Sequence, residues 1–531
     1  MFCNKCGSPI EEGAVFCAAC GAKQDIADVP VVQPVSKENT TEKESKKKGN
    51  PFANKKFVLA AGILVALVII VAVGAILFGK GSGIRYDQYA EVIVDYVNDD
   101  YMGILFTTKG EKLELDGYIY DAAYSADMSA MVYTIEEDNT RSLYYVDEEL
   151  KPKFIEEDVY RFGISYDGSH IAYLQEINSQ WTEADLYLYS VKKDKAVKID
   201  KDVYLYNIVL SPNGEYISYL KNYESNSDNE LFVAGYAKDS EKIDKDGSYA
   251  IGVMNNGKMY YRTDNDKLYF YNGKSAVKID SDTDTFCYFN RDLTEIIYTK
   301  NNKTYYYTPK MSDAEKIYSK RIFNIACPDN AIVVSTAGYG HIVGMDSLKS
   351  TVWEAYNDLV WFNKNGKDAL KIANLYGEYC ISDDMKSLVY VDNDELYKLK
   401  IGNNEKPVLL YSDDELEGVV ANHDLSKIYA IVDDELYYIK NAKKSERITN
   451  DLEDGKYSVV FSNSMDKVVF IEDENLCCAD TKESSKKVLE KEVSYLNSQY
   501  DIITFEIYDE DNYEYTYFIL DGEKIIELYT D

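Results

Sequence analysis

The chain has 531 residues, of which 92 are Asp or Glu and 58 are Lys or Arg, and its formal net charge is −34. Such an excess of acid repels nucleic-acid phosphate, and we expect no nucleic-acid partner. The charge also divides the chain, because residues 1–83 carry +3 and the remainder carries −37.

The first 24 residues contain two C-x-x-C pairs. Cys3 and Cys6 form the first pair, and Cys17 and Cys20 form the second, with ten residues between the pairs. Two such pairs suit one tetrahedral Zn²⁺ with four thiolate ligands, and the glycine after each pair permits the tight turn that points N–H groups at sulfur. Four cysteines leave no open position for catalysis, so we predict one structural zinc ion.

This segment resembles the N-terminal zinc ribbons common in bacterial membrane proteins, and the match covers residues 2–22. The resemblance implies a domain, residues 1–24, that folds around its metal, because so short a chain cannot bury a core. Disulfide bonds are the alternative, but the topology argued below places the segment in a reducing compartment. We expect this ribbon to dock a cytoplasmic protein or to act as a sensor.

Residues 25–55 form the next segment, which contains three prolines and the polar run SKENTTEKESKKKGN. The apolar content of this segment is too low to bury anything against water. We therefore predict a disordered, charged tether between the ribbon and the rest of the chain.

An uninterrupted apolar run, FVLAAGILVALVIIVAVGAILF, occupies residues 57–78. With a rise of ~1.5 Å per residue, a helix of this length crosses the ~30 Å hydrocarbon core of a membrane. A buried core helix would have a polar face, and a cleaved signal peptide would be shorter and nearer the N-terminus. We predict a retained single transmembrane helix.

Lysine indicates the orientation of this helix. Six lysines lie between residues 43 and 56, whereas the other flank offers only Lys80 and Arg85. The positive-inside bias therefore places the N-terminus in the cytoplasm and residues 84–531 outside the cell. The predicted location is the cell membrane, as an integral single-pass protein.

The predicted outer domain, residues 84–531, is repetitive. All 50 tyrosines lie at or after Tyr86, and a turn-then-strand phrase recurs, as in ISYDGSHIAYL at 164–174 and LSPNGEYISYL at 210–220. A second phrase such as DELYYIKN follows, and a third such as AVKIDKD closes several units. Each unit holds three or four short alternating runs split by Asp-Gly, Asn-Gly or Asn-Asp turns, which predicts antiparallel four-stranded units.

The first apolar residue of the second phrase marks each unit, and the intervals are 37–45 residues with one step of 54. That long step contains STVWEAYNDLVWFNKNGKD, so we place an insertion or domain junction near 345–380. A 40-residue period is that of a β-propeller blade, and a β-solenoid or a β-sandwich array fits it less well. We predict about ten units in one large ring or two smaller propellers, with strands at 90–120 closing a ring. The marker residues are Leu143, Leu186, Leu231, Leu268, Tyr305, Ile342, Leu396, Leu436, Leu476 and Tyr517.

The phrase S-[DP]-x-G-x-x-I-x-Y resembles the propeller repeats of the Tol-system periplasmic protein and of prolyl-oligopeptidase-like enzymes. Ser165, Asp167, Gly168, Ile171 and Tyr173 fit it, and the unit at 211–219 fits as well. Later units keep the spacing but lose the glycine. The resemblance implies a mainly β fold and no chemistry, because the Asp and Gly of the phrase serve the turn.

Catalytic motifs are scarce in the chain. Prolyl-oligopeptidase-like enzymes need an α/β-hydrolase domain with a G-x-S-x-G elbow, which does not occur here. The chain has three histidines, His170, His341 and His423, and no partner for any of them is evident from the sequence. We expect these histidines to be structural and the protein not to be an enzyme.

Two further patterns bear on metal binding and redox chemistry. Asp280, Asp282 and Asp284 begin like a calcium loop, but Thr285 replaces the turn glycine and Arg291 the bidentate Glu, so we interpret them as an acidic loop. The outer cysteines are odd in number, and we expect buried free thiols, with a Cys287–Cys327 bridge as the alternative. These cysteines are Cys287, Cys327, Cys380, Cys477 and Cys478.

These observations favour a non-catalytic, membrane-anchored binding protein: a cell-surface receptor, a scaffold or an envelope-assembly factor. Most tyrosines should pack within the sheets, and those at one face of the propeller should bind an external protein, peptide or glycan. The alternative is an extracellular hydrolase or lyase that uses a propeller pocket. A third hypothesis makes the zinc ribbon the active signalling part and the propeller a passive sensor.

Overall fold

A computed structural model describes residues 91–530 with short gaps, the longest at 107–111, 223–228, 327–332 and 363–368. The predicted zinc ribbon (1–24), tether (25–55) and transmembrane helix (57–78) lie outside the described residues. Within those residues, no helix combines the length and the apolar character needed to span a membrane. All of the described residues belong to one compact unit.

Short antiparallel strands dominate this unit, because Tyr, Val, Ile and Leu alternate with polar residues over runs of four to eight residues. The strands of the first half are β1 (Glu91–Val97), β2 (Asp100–Phe106), β3 (Lys112–Leu115), β4 (Tyr118–Tyr124), β5 (Ala130–Glu137), β6 (Thr140–Asp147), β7 (Lys153–Glu156), β8 (Arg161–Ile164), β9 (His170–Gln175), β10 (Glu183–Ser190), β11 (Lys195–Tyr204), β12 (Val209–Leu210), β13 (Tyr216–Lys221), β14 (Glu230–Gly235), β15 (Glu241–Asp244), β16 (Ser248–Val253), β17 (Met259–Thr263), β18 (Leu268–Tyr271), β19 (Ala276–Asp280), β20 (Thr283–Phe289), β21 (Ile296–Lys300), β22 (Lys303–Tyr307) and β23 (Glu315–Tyr318).

The second half continues in the same way and includes two short 3-10 helices, Gly455–Ser458 and Glu483–Ser485. Its strands are β24 (Ile322–Ala326), β25 (Val333–Ser335), β26 (Gly340–Val343), β27 (Val352–Ala355), β28 (Asp358–Phe362), β29 (Ala369–Asn374), β30 (Tyr379–Ile381), β31 (Ser387–Asp392), β32 (Glu395–Lys400), β33 (Val408–Ser412), β34 (Leu416–Ala421), β35 (Ile428–Val432), β36 (Glu435–Asn441), β37 (Lys444–Thr449), β38 (Val459–Ser462), β39 (Lys467–Glu472), β40 (Asn475–Ala479), β41 (Lys487–Lys491), β42 (Val493–Gln499), β43 (Ile502–Asp509), β44 (Glu514–Asp521) and β45 (Lys524–Thr530).

Most strands pair in chain order to form four-stranded meanders, the blade architecture of a β-propeller. Seven meanders are separate sheets, and an eighth, β20–β23, carries β26 and β25 as added strands. Strands β8–β15 are two meanders merged into one sheet, because Val203 of β11 pairs with Lys221 of β13. The seven separate sheets are β4–β7, β16–β19, β24 with β27–β29, β30–β33, β34–β37, β38–β41 and β42–β45.

The described residues therefore form eight separate blades, fewer than the ten or so predicted, because the two meanders of β8–β15 share one sheet. Among the described residues, eight sheets contain one four-stranded meander each, and the ninth is double. Strands β1–β3 form their own three-stranded sheet, and Leu115 of β3 packs with Ile119 and Met131 of the sheet β4–β7. The predicted strands at 90–120 thus exist and contact the first meander.

Apolar clusters join each meander to the next along the chain. Ile217 of β13 packs with Leu186 of β10, and Phe461 of β38 packs with Tyr429 of β35. Trp353 of β27 packs in the same way against the strands β20–β22. A sheet buried on both faces needs a neighbour on each side, which is why the meanders stack in series.

The marker residues of the repeat lie on the third strand of a meander in nine of ten cases. Ile342 is the exception, because it belongs to the added hairpin of β25 and β26. The equivalent residue is Leu359 of β28, which is 1% exposed. The added strands β25 and β26 precede the segment 345–380, where an insertion or domain junction was predicted, and STVWEAYNDLVWFNKNGKD supplies β27 and β28.

The abundance of tyrosine has a structural role in these sheets. In meander after meander, an aromatic residue of the second strand lies directly opposite one of the third, with stacked rings whose centroids are 4.9–5.6 Å apart. Cross-strand aromatic pairs stabilise a sheet and hold its register. These pairs are Tyr133–Tyr144, Tyr173–Tyr187, Tyr219–Phe232, Tyr261–Tyr269, Tyr298–Tyr305, Tyr390–Tyr397 and Phe505–Phe518.

Candidate functional site

Aromatic and arginine side chains converge at one edge of the first three meanders. In an antiparallel meander, the first and third strands begin at the edge where the second and fourth strands end. The contributing segments, the starts of β4, β6 and β8 and the loops β9–β10 and β11–β12, therefore meet at one edge. We call this set the aromatic–arginine surface, and its members are Tyr120, Arg141, Tyr160, Arg161, Trp181 and Tyr206.

Stacking contacts connect the members of the aromatic–arginine surface. The guanidinium carbon of Arg141 is 3.4 Å from the ring centroid of Tyr120 and 5.6 Å from that of Tyr160. The Tyr160 ring packs edge-on against Trp181 with centroids 5.3 Å apart. The guanidinium of Arg161 lies 4.2 Å from the ring of Tyr206. Such contacts restrict the conformations of these long side chains.

Large rings of this surface remain in contact with water. Trp181 is 61% exposed, Tyr206 is 51% exposed and Tyr120 is 49% exposed. The other two tryptophans of the chain, Trp353 and Trp361, are buried. Exposed aromatic residues that cluster are typical of sites that bind another molecule, because their burial releases a large apolar area.

A cavity of about 530 Å³ opens at this surface between β4, β8 and the β11–β12 connection. Its walls are mainly aromatic and aliphatic, with Tyr124, Phe162 and Tyr166 among them. Asp121 and Arg161 are its only charged lining residues, and both are exposed. This volume lies within the range of small-ligand sites, roughly 300–1,000 Å³.

A second cavity, of about 520 Å³, is lined by Arg141, Tyr160 and Trp181. Three carboxylates, Glu136, Asp158 and Glu176, also line it. Arg141 donates a 2.8 Å hydrogen bond to Glu136. Burial lowers the pKa of Arg141, but the bond to Glu136 and the contact with Tyr120 outweigh burial and raise it.

The two arginines of the surface differ in their ionic contacts. Arg141 is paired with Glu136, and Arg262, Arg291 and Arg447 elsewhere in the molecule also have carboxylate partners within 4 Å. Within the described part of the chain, Arg161 has no carboxylate within that distance, although acidic residues are in large excess. Its charge therefore faces the cavity and solvent.

The three histidines lie outside both cavities: His170 and His341 belong to different sheets, and His423 lies in the turn between β34 and β35. The Nδ1 atom of His170 is 2.9 Å from the carbonyl oxygen of Asn213, and that of His423 is 3.0 Å from Asp383. His341 of β26 stacks on Tyr288 with ring centroids 5.2 Å apart. Burial lowers the pKa of both His170 and His341.

The acidic loop contains no cluster of calcium ligands. Asp280 accepts hydrogen bonds from Tyr298 and Lys300 and is thereby engaged in a contact between sheets. Among the residues that the structure describes, no group of three or more His, Cys, Asp or Glu is arranged to hold a metal ion. Cys287, Cys380, Cys477 and Cys478 are free thiols, as expected, and Cys327 lies outside the described residues.

The predicted zinc ligands Cys3, Cys6, Cys17 and Cys20 also lie outside the described residues. Their chemistry fits the ion, because four thiolates are the preferred donors of a structural Zn²⁺. Bound zinc would supply folding free energy to the ribbon and no reaction.

Sequence reasoning missed the aromatic–arginine surface, although it expected tyrosines at one face of the propeller. No short motif links its members, because Tyr160 follows Tyr120 by 40 residues and Tyr206 follows Arg161 by 45 residues. The repeat itself was the signal that could have found this surface. Arg141 lies at the start of β6 and Arg161 at the start of β8, in successive units of the repeat.

Comparison with known proteins gives one family and several structures. The model of the zinc-ribbon domain family matches residues 2–24, a small part of the chain. No curated protein sequence matches the chain.

Three solved structures that resemble the chain show how low the sequence identity is. TolB from Acinetobacter baumannii is 11% identical, with 44% of this chain and 60% of that chain covered and a TM-score of 0.26. The β-propeller domain of the Trilobed protease from Pyrococcus furiosus is 12% identical, with 63% and 95% covered and a TM-score of 0.31. Pyrococcus horikoshii acylaminoacyl peptidase is 10% identical, with 56% and 53% covered and a TM-score of 0.30.

The chain thus spans only about three fifths of TolB and half of the acylaminoacyl peptidase. Similarities this weak carry no argument about activity. What the comparisons identify by family is the zinc ribbon at residues 2–24.

Proposed function

We propose that the protein is a non-catalytic binding protein, anchored in the cell membrane by residues 57–78, that presents its propeller outside the cell. The observation that carries the proposal is the aromatic–arginine surface with its adjoining cavities. Exposed tryptophan, tyrosine and arginine are the residues that dominate binding energy at recognition sites. The ligand class is a protein, peptide or glycan of the cell envelope.

The N-terminal ribbon has a separate role in this proposal. It binds one structural zinc ion through its four cysteines and docks a cytoplasmic protein. The positively charged segment 43–56 keeps it on the cytoplasmic side of the membrane. A receptor, a scaffold and an envelope-assembly factor all need a connection of this kind across the membrane.

Tryptophan fluorescence offers a direct test, because Trp181 is exposed while Trp353 and Trp361 are buried. Envelope fractions, peptides and glycans are titrated into the full chain in detergent micelles. We expect a ligand to shift the emission, and Trp181→Ala and Tyr206→Ala to reduce its affinity about tenfold or more.

The matched controls are Tyr457→Ala and Tyr513→Ala, which remove tyrosines that are 75% and 80% exposed but lie outside the aromatic–arginine surface. These variants should bind like the unaltered chain. Equal loss of affinity in control and surface variants would refute a role for the surface, as would the absence of binding to every fraction.

One observation favours the alternative, an extracellular hydrolase or lyase: three carboxylates, Glu136, Asp158 and Glu176, line the second cavity. Paired carboxylates serve as acid and base in glycoside cleavage. Turnover of an envelope polysaccharide that is lost in both Asp158→Asn and Glu176→Gln would establish the enzyme. Turnover that is undetectable, or unchanged in these variants, would favour the binding protein.

A further inference from the structure

We propose that the first cavity binds a short peptide with free ends, holding its terminal carboxylate at Arg161 and its terminal ammonium at Asp121. This inference deepens the proposed function, on which it rests, by naming a ligand class for the same surface.

Charge complementarity is the first argument. The cavity has one guanidinium and one carboxylate on its walls, and they come from neighbouring meanders through β8 and β4. Asp121 and Arg161 do not form an ion pair with each other, and neither pairs with another charged side chain in the described part of the molecule. The Asp121 carboxylate only accepts a hydrogen bond from the adjacent backbone N–H of Ala122. Two opposite charges that face one cavity unpaired match a ligand that carries both charges.

The whole-domain charge narrows the ligand class further. An anionic polymer would be repelled by residues 84–531, which carry a large negative charge. A zwitterion has no net charge, so the negative field of the domain does not oppose its approach. Its carboxylate can accept two parallel hydrogen bonds from a guanidinium.

The walls indicate the side chains that the peptide carries. Tyr124, Phe162, Tyr166 and Leu205 line the cavity, so apolar or aromatic side chains would be buried there. Two other polar side chains of the lining are engaged: Asn207 makes two hydrogen bonds with the backbone of Ala250, and the Ser211 hydroxyl donates to Asn213. The charged groups that the lining offers to a ligand are Asp121 and Arg161.

Gly163 of β8 lines the first cavity, and the space beside its Cα is empty. A Cβ added at this glycine would meet no atom within 4 Å, although residues on both sides of it are packed. A larger side chain at this position would therefore extend into the cavity without displacing the sheet. This glycine offers a way to block the cavity while keeping the fold.

Calorimetric titration of the full chain in detergent tests the inference. The probes are the peptides Ala-Phe, Ala-Leu and Ala-Ala-Phe, each also prepared with an acetylated N-terminus or an amidated C-terminus. We expect the free peptides to bind and either cap to weaken binding about tenfold or more, the effect of losing one charge-assisted contact.

Variants assign each end of the peptide. Arg161→Gln should weaken the free peptides about tenfold and leave the amidated peptides unchanged, since these have already lost the carboxylate. Asp121→Asn should weaken the free peptides about tenfold and leave the acetylated peptides unchanged, since these have already lost the ammonium group. Gly163→Leu should abolish binding, while its melting temperature stays close to that of the unaltered chain.

Absence of binding up to about 10 mM peptide overturns the inference. So does equal affinity for free and capped peptides, or tighter binding of free phenylalanine than of the peptides. If envelope ligands bind through Trp181 while the peptides do not, only this inference fails. If neither binds, the proposed function fails with it.

Discussion

At the level of single residues, the turn phrase contains one position with left-handed backbone, which is occupied by glycine in some units and by a larger residue in others. In the unit 211–216, the Ser211 hydroxyl donates to Asn213 and accepts from the Tyr216 N–H, and Gly214 lies between them at φ +64°. Later units place Leu293, Met385 or Leu425 at the same point with φ of 52–55°. The phrase loses its glycine because the serine or asparagine network holds the left-handed turn without it.

Gly214 should nevertheless resist substitution. A Cβ at this position would come within 2.4 Å of His170 Cβ and 2.8 Å of Ser165 Cβ, both from the previous turn, and φ is positive. We expect Gly214→Ala to destabilise the protein by about 2–4 kcal/mol, from left-handed strain and overpacking together. Urea unfolding measures the change.

The control for this substitution is Gly163→Ala, where the added Cβ meets open space. Its unfolding free energy should stay within about 0.5 kcal/mol of the unaltered chain. A similar loss in both variants would show that the contact with His170 is not the cause.

Buried thiols give a second prediction at this scale. Burial raises the pKa of Cys287 to about 12 and that of Cys477 to about 11. At pH 8 both are protonated, and since the thiolate is the reactive form, alkylation should be slow. Mass spectrometry after brief labelling should find Cys287, Cys477 and Cys478 modified only in urea.

Cys380 is the internal comparison, because it is only partly buried and its thiol contacts the carbonyl oxygen of Val419 at 3.5 Å. It should be labelled faster than the other three. Rapid labelling of Cys287 in the native protein would contradict its burial.

At the level of elements, a repeated contact between consecutive meanders explains the third phrase. The aspartate of AVKIDKD, Asp200, accepts 2.8 Å hydrogen bonds from Tyr219 and Lys221 of the next meander. Asp280 of AVKIDSD does the same with Tyr298 and Lys300. The phrase thus joins consecutive meanders through a charged acceptor and two donors. These directional bonds fix the relative position of the two meanders more specifically than apolar packing alone.

A related contact predicts the response to acid. Asp358 of β28 is nearly fully buried and accepts from Tyr318, Lys320 and Lys371. Burial raises the pKa of Asp358, but these bonds outweigh burial and lower it from 3.8 to about 2. The contribution of the Asp358 carboxylate to the free energy of unfolding is therefore complete above pH ~4 and is lost as the pH falls toward 2.

We expect Asp358→Asn to be about 2–3 kcal/mol less stable than the unaltered chain at pH 7, because a charged acceptor of several bonds is lost. The difference should shrink between pH 4 and pH 2. Urea unfolding at several pH values measures it, with Asp239→Asn, an exposed loop residue, as the control. A difference that does not vary with pH would contradict the assignment.

At the scale of the whole molecule, the described domain has a core of its own, with buried side chains from Leu115 to Leu528 among the described residues. The ribbon is too short to have one and depends on zinc. We expect a chelator to remove about one zinc ion per chain while the tyrosine circular dichroism and the unfolding of the propeller stay unchanged.

Atomic emission spectroscopy measures the zinc, and Cys17→Ser should lower it as chelation does. Cys380→Ser, which alters a thiol of the propeller, should retain zinc. Unfolding of the propeller on chelation would show that metal supports the large domain as well.

The sequence by itself determined the strands, their grouping in units of about 40 residues and the ribbon's ligand spacing. These depend on local patterns: alternation of period two, turn residues and cysteine intervals. Leu143 and Leu436, chosen from the pattern alone, are indeed fully buried on third strands.

Only the tertiary structure decided the number of separate sheets, the place of the added hairpin β25–β26 and the aromatic–arginine surface. Ile342 was misplaced because the hairpin's sequence is also alternating, and its parallel pairing with β20 is a contact between distant segments. Likewise, Asp121 and Arg161 line one cavity only because their two meanders stack. Local sequence determines what each strand is, whereas the packing of strands from different units determines which side chains meet.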